Sequence, residues 1–126
     1  MVQVVSEVID PQQSFQQLQR RSTGSVLLHY AVVKADGGTG RTSCAVEYRT
    51  APETEAELEE IAAVLKARWP LEDVLLQRRS GRLAVGEIIS LVAVAAEASA
   101  DSFAACQMGL ELLKKMSTVN KTEVFV

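Results

Sequence analysis

Hydrophobic positions recur along this chain with two periods, near two and near 3.6, and the switches between them predict its elements. In residues 99–116, Phe103, Gln107, Leu110 and Lys114 fall at i, i+4, i+7 and i+11, one row of an α-helix. Cys106 and Leu113 flank that row. The row is therefore expected to face the interior, carrying Lys114 into the core or a cleft. Lys115 lies four positions after Glu111 on another face, where a Glu-to-Lys pair stays solvated. Asp101 or Ser99 can accept the free N–H groups that start the helix.

The remaining chain divides in the same way. Residues 2–9 are valine-rich and suit an edge strand. Asp10-Pro11 is a helix-start signal, and Phe15 and Leu18 give a short amphipathic helix to about Arg20. Residues 25–33 are almost continuously apolar, as in a buried central strand. A glycine-rich turn at 35–40 leads into 42–49, its expected hairpin partner. Residues 52–69 form a helix with Leu58, Ile61, Ala62, Leu65 and Trp69 as its apolar stripe, stopped by Pro70. Two strands follow, at 73–79 and 87–95, with Ser80-Gly81 and Val85-Gly86 bracketing a tight connection. The order β-α-β-β-α-β-β-α-β predicts a two-layer α+β fold with antiparallel hairpins, one domain over residues 1–126.

Composition narrows the function classes. At 126 residues the chain can bury a real core, and its 48% apolar and 23% charged residues are ordinary for a globular protein. A net charge of −3 argues against bulk nucleic-acid binding. The longest uncharged apolar run, 88–96, is far below the roughly 20 residues of a spanning helix, so no membrane partner is expected. No basic-plus-apolar leader opens the chain, and Cys44 and Cys106 lie in apolar stretches without metal-ligand spacing. Both features fit reduced core cysteines in a cytoplasmic protein.

Candidate chemistry is sparse. His29, alone in its strand, reads more readily as a packed core residue than as a catalyst. The turn at 35–40 lies between Lys34 and Arg41; its glycines could cradle an anion or simply close a hairpin. Glu53, Glu55, Glu57, Glu59 and Glu60 read as a solvated face matched to the helix dipole. Arg78, Arg79, Arg82, Lys114, Lys115 and Lys121 cluster late in the chain, as a solvated basic face or as a site. No Ser-His-Asp set, Cys/His metal site or nucleotide-binding glycine loop is present, and no cofactor or metal is expected.

An ordered set of motifs bears on that choice: residues 24–34, Arg68-Trp69-Pro70-Leu71, the Gly-Arg-Leu-Ala-Val-Gly run at 81–86, and Phe103 through Leu113-Lys114 to Lys121-Thr122-Glu123. Together they resemble the large, catalytic subunit of molybdopterin synthase, the MoaE family, of which this chain looks like a divergent member. The resemblance implies an α/β-hammerhead-like fold and a homodimer. It also implies a small ubiquitin-like sulfur carrier as partner, whose C-terminal Gly-Gly thiocarboxylate meets cyclic pyranopterin monophosphate. In this reading Lys114 and Lys121 are catalytic, and Lys34, Arg41, Lys114, Lys121, Thr122 and Glu123 bind substrate. Lys34 stands where the family usually has arginine, Ala98-Ser99 where it has His-Arg, and Asn120 where it has tryptophan. Relatives also continue beyond the position of Val126 with a further basic residue. A sulfur-inserting enzyme is the leading expectation, and a catalytically impaired paralogue serving as a binding or scaffold dimer is the alternative.

Overall fold

The computed structural model describes residues 1–35 and 43–125. Arg41, the glycines at 37, 38 and 40, and Val126 lie outside them, as does the side chain of Cys44. Ten elements follow in chain order: β1 (Val2–Val5), α1 (Pro11–Gln17), β2 (Ser25–Val32), β3 (Ser43–Arg49), α2 (Thr54–Arg68), β4 (Leu71–Arg79), β5 (Gly81–Ala84), β6 (Ile88–Ala96), α3 (Ser99–Lys114) and β7 (Asn120–Phe125).

Among the described residues, seven strands form two sheets, a four-stranded one in the order β1-β4-β6-β2 and a three-stranded one in the order β5-β3-β7. β4 and β6 run antiparallel at the centre of the larger sheet, and β1 adds to it parallel to β4. Period-two alternation sends Val74 and Leu76 of β4, and Val92 and Val94 of β6, to one face. There they pack with Leu58, Ile61 and Leu65 of α2 and with Ala105, Cys106 and Leu113 of α3. Leu75, Leu91 and Ala93 face the other way, against Ile9 and Leu18, which flank α1. Burial on both sides explains why β6 is apolar almost throughout. Fold class and helix placement thus agree with the sequence reading: an α+β architecture in which Asp10 caps α1 by accepting from Gln12 N at 3.0 Å.

Three expectations change. The apolar run that suggested a buried central strand is β2, an edge strand with Tyr30 and Val32 exposed. Among the described residues it makes no hairpin with β3, which pairs with β5 and β7 in the other sheet. The presumed tight connection at 81–86 holds a strand of its own, β5. Gly81 (φ 99°) and Gly86 (φ 92°) supply the left-handed backbone at its two ends.

The inward face of α3 also differs. Ser102, Ala105, Cys106, Gly109 and Leu113 are buried, whereas Phe103 is 62% exposed. The helix approaches the sheet through its small side chains. Consequently the Phe103–Gln107–Leu110–Lys114 row borders the sheet's open edge at β2 and is not in the core.

Candidate active site

A cavity of about 380 Å³ opens where the two sheets meet the C-terminal end of α3. Register explains its floor. Ser90 of β6 lies opposite Ala31 of β2 on one side and Arg78 of β4 on the other, giving a row Ala31–Ser90–Arg78 across three strands. This row is one step beyond the rows that α3 covers, where the helix runs out. The second sheet supplies a wall. Tyr48 of β3 is the direct partner of Lys121 of β7, so both side chains emerge on one face. Leu110, Leu113 and Lys114 close the cavity from α3, and Met116 and Val119 from the segment leading into β7.

Lys114 and Lys121, which the sequence reading paired, therefore line one cavity, although Lys114 reaches it from an exposed row. Lys34 lines a smaller adjoining cavity of about 110 Å³ with Val46, Glu123 and, shared with the first, Tyr48, Ile89 and Lys121. Lys121 Nζ and Glu123 Oε1 are 3.5 Å apart, so this glutamate tempers the charge at the junction. Thr122 alternates to the opposite face and lines neither cavity. Arg41 lies outside the described residues. His29 borders a separate apolar cavity with Leu27, Phe103, Gln107 and Leu110. Ala98 and Ser99, at the start of α3, are not among the residues around Lys114 and Lys121.

Arg78 and Tyr48 are the chief site residues that the sequence does not single out. Arg78 is no part of a solvated basic face: its guanidinium stacks 5.1 Å from the centre of the Tyr48 ring, and Nη1 donates to the Leu113 carbonyl at 3.4 Å. Burial pulls its pKa below the ordinary arginine value, with Tyr48 and Glu57 acting the other way. Arg79, 5% exposed, turns to the opposite face, with Nη1 3.8 Å from Glu87. Tyr48 has its pKa raised, chiefly by burial, which Glu123 reinforces and Arg78 opposes. It therefore stays a neutral hydroxyl at physiological pH. Counting parity along β4 gives the missing signal, since Arg78 shares a face with Val74 and Leu76.

Glu57 corrects another expectation. Instead of belonging to a solvated face, its carboxylate accepts from Thr118 Oγ1 at 2.6 Å, Ser117 N at 2.9 Å and Thr118 N at 3.1 Å. Thr54 Oγ1 adds a bond to the Thr118 carbonyl at 3.2 Å. The N-terminal turn of α2 thus clamps the segment that aims β7, and with it Lys121.

What this arrangement can do follows from charge. Arg78, Lys114 and Lys121 converge with the neutral donors Tyr48 and Ser90, and no carboxylate lines the larger cavity among the described residues. Such a pocket favours anions, and more strongly when an occupant excludes water.

An α+β fold with this cation-lined pocket belongs to a recognisable class. A sequence profile described as "MoaE protein" matches residues 4–116. A molybdopterin synthase catalytic subunit from Caulobacter vibrioides is 34% identical over 105 residues, covering 82% of this chain and 68% of that one. The chain spans 39% and 49% of two further relatives of that name, from Nostoc and Cereibacter sphaeroides. Among solved structures, molybdopterin synthase from Staphylococcus aureus superposes with a TM-score of 0.91 at 23% identity, over 98% of this chain and 90% of that chain. A complex of subunits 1 and 2 of molybdopterin-converting factor from Helicobacter pylori gives 0.75 at 11% identity, over 99% and 89%. The chain belongs to the MoaE family.

Proposed function

We propose that this chain is the large subunit of a molybdopterin synthase, a sulfurtransferase of molybdenum-cofactor biosynthesis, acting as a single MoaE-like domain over residues 1–126. The observation that carries the reading is the meeting of Lys114 and Lys121, from different elements, in a cavity that no described carboxylate lines. A small sulfur-carrier subunit ending in a Gly-Gly thiocarboxylate delivers sulfur there to cyclic pyranopterin monophosphate. The relatives' names support the reaction. The two-subunit Helicobacter complex, a fold neighbour, supports the partner.

The chemistry asks for these residues. A phosphate and a thiocarboxylate are both anionic and must approach within bonding distance, so fixed cations have to offset their repulsion and any charge that develops. Lys114, at the end of α3, faces the reacting centre and can also hold or pass a proton. Lys121, fixed by its ladder position opposite Tyr48 and by Glu123, anchors substrate, with Lys34 extending the cation row through the adjoining cavity.

The chain acts as a homodimer in this reading. β2 leaves one sheet edge open, and Tyr30, Val32 and Phe103 expose apolar surface around it. Light scattering of the isolated chain at micromolar concentration should report a dimer, and a monomer would contradict this part.

The deciding experiment is single-turnover conversion of the cyclic precursor with thiocarboxylated carrier. Lys114→Ala should lower the rate by about 10²–10³ while folding and carrier binding persist. Lys121→Ala should act mainly as weaker substrate binding. A wild-type protein that binds carrier but converts nothing would replace the enzyme with a scaffold dimer.

A further inference from the structure

We propose that Arg78 is a ligand-binding residue of this pocket, the fixed guanidinium at its floor that receives an oxyanion of the reacting molecules. The inference deepens the synthase reading and rests on it in taking the Lys114–Lys121 cavity as the reacting site.

Arg78 carries a charge that the protein answers only in part, through the Tyr48 ring and the longer-range pull of Glu57. It forms no salt bridge among the described residues. Its Nε is buried without a hydrogen-bond partner, and its contact to the Leu113 carbonyl is long at 3.4 Å. A guanidinium cannot escape by losing its proton near neutral pH, so a half-buried one with an unbonded Nε is costly. The neighbouring Arg79 makes the contrast. It also has unbonded buried nitrogens, but Glu87 is 3.8 Å away and it lines neither of the two lysine-lined cavities described above. Arg78 opens instead onto a cavity with two lysines, a serine and a neutral tyrosine hydroxyl.

Its surroundings fix the group before any ligand arrives. The guanidinium carbon lies over the Tyr48 ring, 5.1 Å from its centre, and the strand register with Ser90 fixes the backbone beneath it. A planar donor edge held in this way suits a phosphate or carboxylate, whereas a lysine there would offer only a point charge. Lys114 and Lys121, both exposed, meet the ligand from the rim while Arg78 sets its position at the floor. The oxyanion has two available sources, the phosphate of the precursor and the terminus of the carrier, a thiocarboxylate that becomes a carboxylate once its sulfur has been given up.

Heat of binding at low ionic strength, with inorganic phosphate and separately with acetate as probes, tests the assignment and separates these sources. Wild type should bind at least one probe, and Arg78→Gln and Arg78→Met should lose roughly 10- to 100-fold in affinity for it. Arg78→Lys should recover part of that loss. Dependence confined to phosphate assigns the precursor's phosphate, confined to acetate the carrier terminus, and shared dependence assigns both. Should neither neutral variant fold, the Nε–H resonance of Arg78 in the wild-type protein is followed during the same titrations and should shift on saturation. Binding of neither probe by wild type, equal affinity in a folded Arg78→Gln, or an unmoved Nε–H resonance overturns the proposal. Conversion by wild type with probe binding indifferent to Arg78 sinks this inference and leaves the synthase standing. Absent conversion with Arg78-dependent probe binding does the reverse.

Discussion

Tyr48 and Lys121 stand directly opposite each other on the β3–β7 ladder, and both line the cavity at the end of α3. Tyr48 carries the pairing further by stacking on Arg78 of the larger sheet. Three elements far apart in sequence thereby share one pocket, held by a ring–guanidinium contact and a backbone ladder. What positions Lys121 is consequently distributed. It includes Glu57, which holds the turn before β7.

Glu57 should make stability depend on pH. Burial raises its pKa, but the combined hydrogen bonds from Thr118 and Ser117 outweigh burial and leave it below the ordinary 4.5. A carboxylate depressed in the folded state adds stability that is fully present above the unfolded value and is lost as pH falls through the folded one. Denaturant titrations from about pH 6 to pH 3 should therefore show Glu57→Gln flattening part of the acid limb. At pH 7 the variant should be less stable by about 1–2 kcal/mol. An acid limb identical to wild type would show that the clamp contributes nothing.

Gly24 tests a close approach between chain segments. A Cβ there would lie 2.5 Å from the carbonyl oxygen of Glu97, while Gly24 N already donates to the Ala96 carbonyl at 3.0 Å. The obstacle is backbone at the end of β6, which cannot swing aside as a side chain can. Gly24→Ala should therefore destabilise by about 1–3 kcal/mol despite any reduction of unfolded-chain entropy. Thermal melts measure it, and a neutral result would mean that β2 and β6 can part at this end without cost.

How legible this was from sequence varies by residue. Asp10-Pro11, Pro70 and the Leu58–Ile61–Leu65 stripe act locally, through caps, a missing N–H and 3.6-residue spacing, so α1 and α2 were readable. The face of α3 was misread because Ser102, Ala105 and Gly109 are small and weakly apolar, yet their size is what lets the helix come close. Phe103 carries a strong apolar signal and points outward. The β3–β7 pairing joins residues as far apart in the sequence as Ser43 and Phe125, and no local pattern announces it. Lys114 and Lys121 were singled out in the sequence, whereas the Ala31–Ser90–Arg78 floor needed the strand register.

Cys106 should behave as an inert thiol. Burial alone pushes its pKa up to about 11, so it remains protonated throughout the neutral range. In a Cys44→Ser background at pH 8, a thiol reagent should modify Cys106 no faster than the protein unfolds, and denaturant should release the reaction. Rapid modification of the folded protein would place the thiolate in reach of solvent and contradict its burial between α3 and the sheet.

Tyr48 allows ring and hydroxyl to be separated. Tyr48→Phe keeps the aromatic face on which Arg78 stacks and removes only a hydroxyl whose pKa is already raised by burial. Thermal stability should change little, and single-turnover conversion should fall by less than about tenfold, as for one neutral hydrogen bond. Tyr48→Ala removes the ring, which is 5% exposed and packs with Val33, Val46 and Leu83. The resulting cavity should cost about 3–5 kcal/mol, in the range of other large aromatic truncations. It should also free the Arg78 guanidinium, so phosphate affinity should fall in Tyr48→Ala but stay near wild type in Tyr48→Phe. Binding heats on the two folded variants, compared at a temperature well below either melting point, check this split. Equal phosphate affinity in both would show that stacking does not hold Arg78 in place. A loss confined to Tyr48→Phe is excluded by this account, since both variants lack the hydroxyl and only one lacks the ring.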